Sequence, residues 1–218
     1  MYTPAAFRVE SPERLADFMR SNSFATLVSH DGASSVATHI PVLFDAERGL
    51  HGALRTHMAR ANPQWRHFVD GREVLVIFQG PHAYISASLY ETDEAVSTWN
   101  YTAVHVYGVP VLIDDADQLA GLIDDTVDAY DPTFPKPSSG YLPEKLRAGL
   151  MKALVGFEIP ISRIEGKFKL SQNRDARDIR NVYEALAKSA SHGDRELAEM
   201  MAAEGIVPPS ADGAEFPS

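Results

Sequence analysis

The 218-residue chain contains no cysteine. That single absence excludes disulfide frameworks, thiolate metal sites and cysteine nucleophiles. No stretch approaches the ~18 consecutive apolar residues of a membrane-spanning helix. The segment from Met1 to Arg8 has neither a basic n-region nor an apolar h-region. The expectation is a soluble, cytoplasmic protein with no membrane partner. Positive charge is also scarce: 20 Lys+Arg face 30 Asp+Glu, giving a net charge of -10 and a pI near 5.2. This argues against whole-surface affinity for nucleic acid or anionic lipid, so a polyanion would need a local patch. GxSxG, HExxH, P-loop and GxGxxG motifs are all missing, which leaves hydrolase, zincin, nucleotidase and Rossmann readings without local support. His51, His57, His67, His82 and His105 have no tight spacing with carboxylates, so no metal is expected.

What the chain does contain is an ordinary globular balance, 44% hydrophobic and 23% charged, long enough for a substantial core. Ser11 and Pro12 suit the start of a short amphipathic helix. Phe24 to His30 and Ser35 to Phe44 read as a hairpin turned by Asp31-Gly32, with Pro41 requiring an edge or a bulge. From Met58 to about Asp70 the pattern predicts a turn broken by Asn62-Pro63 and then a helix carrying Trp65 and Phe68. Glu73 to Gln79 is a buried strand, ended by Gly80-Pro81 before Ala83 to Leu89 resumes. Thr98 to Tyr107 continues past a Gly108-Val109-Pro110 bulge to Ile113. Asp117 to Tyr130 and Leu146 to Leu154 are helical, with an irregular loop rich in proline and serine between them. A strand from Val155 is followed by helices around Ile179 to Leu186 and Leu197 to Met201, with Gly205 as a stop. The organisation expected is one domain over 1–190 with helical insertions at about 115–154, then a C-terminal helix and flexible tail over 191–218. The class is α+β on a largely antiparallel sheet, and closure into a barrel would remove exposed edges.

The run from Leu50 to Pro63 concentrates the chemistry. A strand emptying into a helix start leaves amide donors for an anion, and Arg55 and Arg60 add forked donors beside Thr56 and His57. This reads as a phosphate cradle, and equally as a solvated basic turn. No side chain is set up for nucleophilic work, so an organic cofactor would supply the reactivity.

The stretches Leu50-His51-Gly52 to Trp65, Val76 to Ser86, Thr98-Trp99-Asn100-Tyr101 and Lys169-Leu170-Ser171-Gln172-Asn173-Arg174 occur in an order that closely resembles the PaiB-like family, often labelled FMN-binding negative transcriptional regulators. The resemblance runs from Met1 to about Leu186. It implies an FMN-binding split β-barrel that forms a homodimer, with flavins in the clefts between subunits. Arg55, Thr56, His57 and Arg60 would hold the phosphate, and Thr38, His39, Ile40 and Leu54 would line the isoalloxazine. Trp99 and Asn100 would close the cleft from the partner, with Lys169, Ser171 and Gln172 reaching it from the last strand. Simpler roles stand beside these: Trp99 as a core or interface aromatic, Gln79 to His82 as a turn, and Lys169 to Arg174 as a helix N-cap. Three functions follow. One is a flavin-dependent oxidoreductase using a small-molecule substrate or NAD(P)H. Another is a DNA-binding regulator relying on the basic segment from Arg163 to Arg180. The third is a haem-binding or haem-degrading protein with His82, His105 or His192 as axial ligand.

Overall fold

A computed structural model describes residues 1–92, 94–137, 140–141 and 144–209. The strands are β1 (Arg8–Val9), β2 (Phe24–His30), β3 (Ser35–Asp45), β4 (Ala53–Ala59), β5 (Val74–Ile85), β6 (Thr98–Gly108), β7 (Val111–Ile113) and β8 (Leu154–Lys169). The helices are α1 (Pro12–Ser21), α2 (Ala116–Tyr130), α3 (Glu144–Ala153), α4 (Ala176–Ala187) and α5 (His192–Ala203). The strands follow the order β1-β8-β4-β3-β2-β5-β6, with β7 on β8 and a further β8–β6 pairing. β1, β4 and β7 each pair antiparallel with β8, β2 with β3 and β5, and β3 with β4, as a largely antiparallel sheet requires. The chain divides into two compact units: a larger one of Ser11–Phe78 and Val104–Glu165, and a smaller one of Met1–Glu10, Gln79–Ala103 and Gly166–Ser218.

In the larger unit, alternating side chains on β2, β4, β5 and β8 bury Leu27, Leu54, Val76 and Phe157, and Phe68 packs on Phe157 with ring centroids 4.8 Å apart. The Ser11 hydroxyl caps α1 by accepting from the Arg14 amide at 3.3 Å. Pro41 sits inside β3, which has β2 and β4 as neighbours, rather than on an edge. It is tolerated because it stands where β2 pairing ends at Phe24 and β4 pairing begins one residue later at Val42. Gly52 has φ 82°, and a Cβ there would lie 2.6 Å from the Phe44 ring, so the turn into β4 depends on glycine.

Two expectations are corrected. The helical reading of Met58 and Ala59 fails, because β8 pairs with both residues and carries β4 through Ala59; the helix that follows is a 3-10 segment, Pro63–Asp70. Gly80-Pro81 does not end a strand either: β5 runs from Val74 to Ile85, and Ala87–Leu89 is a 3-10 turn. Residues 138, 139 and 210–218, within the expected loop and tail, lie outside the described residues.

In the smaller unit, β1 lies against the end of β8, with Arg8 opposite Lys167. Phe168, Leu170, Val182, Leu197 and Met201 are buried. Helix α4 starts at Asp175, whose carboxylate accepts from the amides of Arg177 and Asp178 at 3.0 and 2.9 Å.

Candidate functional site

Strand alternation decides which residues of β4 can meet a ligand. Leu54, Thr56 and Met58 are buried, whereas Arg55 and His57 fall on the other, half-buried face. The Thr56 hydroxyl donates to the Pro41 carbonyl at 2.5 Å, and the backbones of Leu54 and Thr56 are paired with β3 on one side and β8 on the other, so neither residue leaves an open polar group for an isoalloxazine or a phosphate. Arg55 donates through Nη1 to Asp125 on α2 at 2.7 Å with its side chain 14% exposed. Its Nε is buried and has no hydrogen-bond partner among the described residues. A buried guanidinium donor left unpaired is costly, and an anion would satisfy it. Burial holds the His57 imidazole below its ordinary titration range, so the ring stays neutral at neutral pH.

Arg60, paired with Arg55 in the sequence reading, is drawn into a different environment. Its guanidinium donates to the carbonyls of Lys152 and Leu154 at 3.0 and 2.8 Å, its amide donates to Ala153 at 2.7 Å, and the cation lies over Trp65. Two of its five donors therefore cap the end of α3. The two arginines line separate cavities. A cavity of about 690 Å³ includes Arg20, Phe44, Arg55, Asp125 and Tyr130, and one of about 670 Å³ includes Arg60, Asp114, Leu119 and Met151. Both fall in the size range of cofactor clefts.

On β3, Ile40 is buried, and His39 is exposed, with its Nδ1 2.9 Å from the Thr26 hydroxyl and its ring stacked on Phe24. The Thr38 hydroxyl donates to Gln64 Oε1 and accepts from Asn62 Nδ2 at 2.9 Å. Gln64, fully buried, extends this network to the Ser29 hydroxyl at 3.0 Å, and Ser29 reaches His67 Nδ1 at 2.9 Å. The positioning role of Gln64 was missed from sequence; its only local signal is its place directly after the Asn62-Pro63 turn.

The other five expected site residues belong to the smaller unit. Trp99 is 53% exposed and meets Tyr84 edge-on at 5.8 Å. Asn100 is fully buried and donates to the Ser171 hydroxyl at 2.8 Å, leaving its Oδ1 without a partner. Lys169 donates to the Thr98 hydroxyl and, at 2.7 Å, to the Trp99 carbonyl. Burial, with the nearby charges of Lys167 and Arg174, lowers the Lys169 pKa. Gln172 folds back on its own strand, accepting from the Leu170 amide and donating to the Phe168 carbonyl. Neither Ser171 nor Asn173 caps α4, since Asp175 does.

The basic segment weighed for DNA is largely committed within the protein. Arg163 and Arg177 pair with Glu165 and Glu91, Arg180 donates to the Pro209 carbonyl, and Lys167 is buried. The histidines considered for haem lie on β5 (His82), β6 (His105) and α5 (His192). Among the described residues, no cluster of three or more His, Asp or Glu is arranged to hold a metal ion. No helix among those residues is long and apolar enough to cross a membrane.

Comparison with known proteins locates this arrangement. Residues 1–163 match the sequence profile described as "Putative FMN-binding domain". The chain is 39% identical over 202 residues to PaiB, the protease synthase and sporulation protein PAI 2 of Bacillus subtilis, covering 92% of this chain and 96% of that protein. It is 35% identical over 106 residues to protein YKL070W of Saccharomyces cerevisiae, covering 46% of this chain and 62% of that one. Among solved structures, the FAD and haem binding protein of Mycobacterium smegmatis has a TM-score of 0.58 at 19% identity, covering 79% of this chain and 78% of its own. The flavocytochrome Anf3 of Azotobacter vinelandii has a TM-score of 0.58 at 12% identity, covering 74% and 69%. Both of these share the split-barrel fold.

Proposed function

Since this chain belongs to the FMN-binding domain family, with FMN as its cofactor, we propose that it is a flavin-dependent oxidoreductase acting on a small molecule. The observation that carries the reading is Arg55, whose buried Nε has no partner and whose side chain lines the 690 Å³ cavity. Its guanidinium, with His57 beside it on the same face of β4, is the anchor for the FMN phosphate. Thr38, His39 and the backbone around Ile40 address the flavin ring. Bound FMN supplies hydride transfer, which no side-chain constellation of this chain offers. The residues themselves bind, orient and exclude water: the Gln64 network holds the Thr38 hydroxyl in one direction, and buried, neutral His57 adds no second positive charge to the pocket. Trp99 and Tyr84, both exposed aromatics, are the surface we assign to a homodimer contact.

The test begins with the visible spectrum of freshly purified protein, followed by NAD(P)H consumption with added electron acceptors. Flavin absorbance and FMN-dependent turnover are expected. Arg55→Ala is expected to weaken FMN retention by at least about tenfold, the scale of a lost charge-assisted pair. Arg60→Ala is expected to act mainly on thermal stability. A protein that neither carries nor binds FMN would end this proposal. The regulator reading draws on PaiB and on the basic segment, but the exposed face of α5 carries Glu196 and Glu199, which repel phosphate. Salt-sensitive retardation of promoter DNA would restore it.

A further inference from the structure

Burial divides helix α2 in two. Leu119, Ala120, Leu122 and Ile123 fix its first half in the core, whereas no residue from Asp124 to Tyr130 is buried. Among the described residues, two hydrogen bonds tie this second half to β4 and to the residue before β2. Asp125 accepts from Arg55 Nη1 at 2.7 Å, and the Tyr130 hydroxyl donates to Ser23 at 2.8 Å. All four residues line the cavity of about 690 Å³, and all belong to the larger unit. The second half is poorly stable by itself, because Asp124, Asp125 and Asp128 crowd the negative end of the helix dipole and the last turn has no basic residue. It draws its cations from outside, Lys136 on Asp128 at 2.7 Å and Arg55 on Asp125. Where the halves meet, the Thr126 hydroxyl donates to the Leu122 carbonyl at 2.7 Å, a back-bond that weakens and bends helices. The Arg55–Asp125 pair is lopsided: the arginine side chain is 14% exposed and the aspartate 48%. A carboxylate already half in water loses little on leaving, while the guanidinium stays in place.

We propose that Asp125 competes with the FMN phosphate for Arg55 and acts as a gate on the cofactor site: phosphate displaces the carboxylate, and the freed second half of α2 bends away at Thr126. The inference rests on Arg55 as the phosphate anchor. A phosphate reaching the unpaired Nε would put two anions on one guanidinium, and the one with a hydrated escape yields. The experiment titrates FMN, with riboflavin as the phosphate-free control, into full-length protein stripped of flavin, followed by flavin fluorescence. Asp125→Asn is expected to bind FMN about fivefold more tightly than wild type, the scale of a partly exposed ion pair, with riboflavin affinity unchanged. A residue that merely held Arg55 in position would give the opposite sign. In the wild-type protein, hydrogen exchange of the amides from Asp124 to Tyr130 is expected to quicken on saturation with FMN but not with riboflavin. FMN affinity unchanged or weakened in Asp125→Asn, or exchange in this segment unmoved by FMN, overturns the gate. If Arg55→Ala binds FMN as the wild type does, the anchor lies elsewhere and the gate falls with it. If Arg55→Ala loses FMN while Asp125→Asn gains nothing, the anchor stands and only the gate falls.

Discussion

His57 carries two consequences of one placement. Its position on the half-buried face of β4 makes it a neighbour of Arg55, and its burial disfavours the charged imidazole. The folded state therefore takes up this proton at a lower pH than the unfolded chain, whose histidine titrates near ~6.5. Stability contributed by neutral His57 is complete above that value and is lost as the pH falls through the depressed folded-state pKa. His105 shifts in the same direction through burial. The acid limb of the melting-temperature profile is expected to flatten in His57→Gln, with the part due to His105 remaining. A profile that superimposes on wild type would show that His57 is not the group concerned. The arginines make a second contrast at this scale. From sequence, Arg55 and Arg60 are equivalent forked donors five residues apart. Their environments differ because the backbone carbonyls at the end of α3 capture one, while α2 offers the other a single carboxylate.

At the scale of the elements, local chemistry and pairing compete. Helix α4 begins where its Asp175 cap dictates, and Asp175→Ala should cost about 1 kcal/mol, read by chemical denaturation. Gly108, at the end of β6, is more exacting. A Cβ there would overlap the Pro160 carbonyl, a backbone atom that cannot swing aside, so Gly108→Ala should cost roughly 2–4 kcal/mol. A much smaller loss would mean that β8 can move at Pro160. Cap, turn and stop signals were legible for α1, the β2–β3 hairpin and α5, and the apolar period for α2, because each depends on residues within a few turns of chain. The expected break at Gly80-Pro81 and the expected helix at Met58 were wrong, because ladder partners supply the hydrogen bonds that local preference would forgo.

For the molecule as a whole, charge sets the expectation. With a net charge of -10 and Arg163 and Arg177 paired with carboxylates, DNA affinity should be absent at ~150 mM salt, whereas FMN retention should persist there. Mobility shifts across a salt series, run beside flavin spectra, test this directly. DNA binding that survives physiological salt would return the regulator to first place.

The sequence by itself determined the antiparallel α+β class and, through its motifs in order, the family, with the split barrel and the FMN cofactor that the resemblance implied. Motifs in order, period-two burial and the lack of any other reactive set are all properties of the chain read residue by residue. Only the tertiary structure decided which donors are open. Whether Arg55, Arg60, Thr56 or Lys169 has a partner depends on atoms brought in from 15 to 94 residues away, and no local pattern encodes that distance.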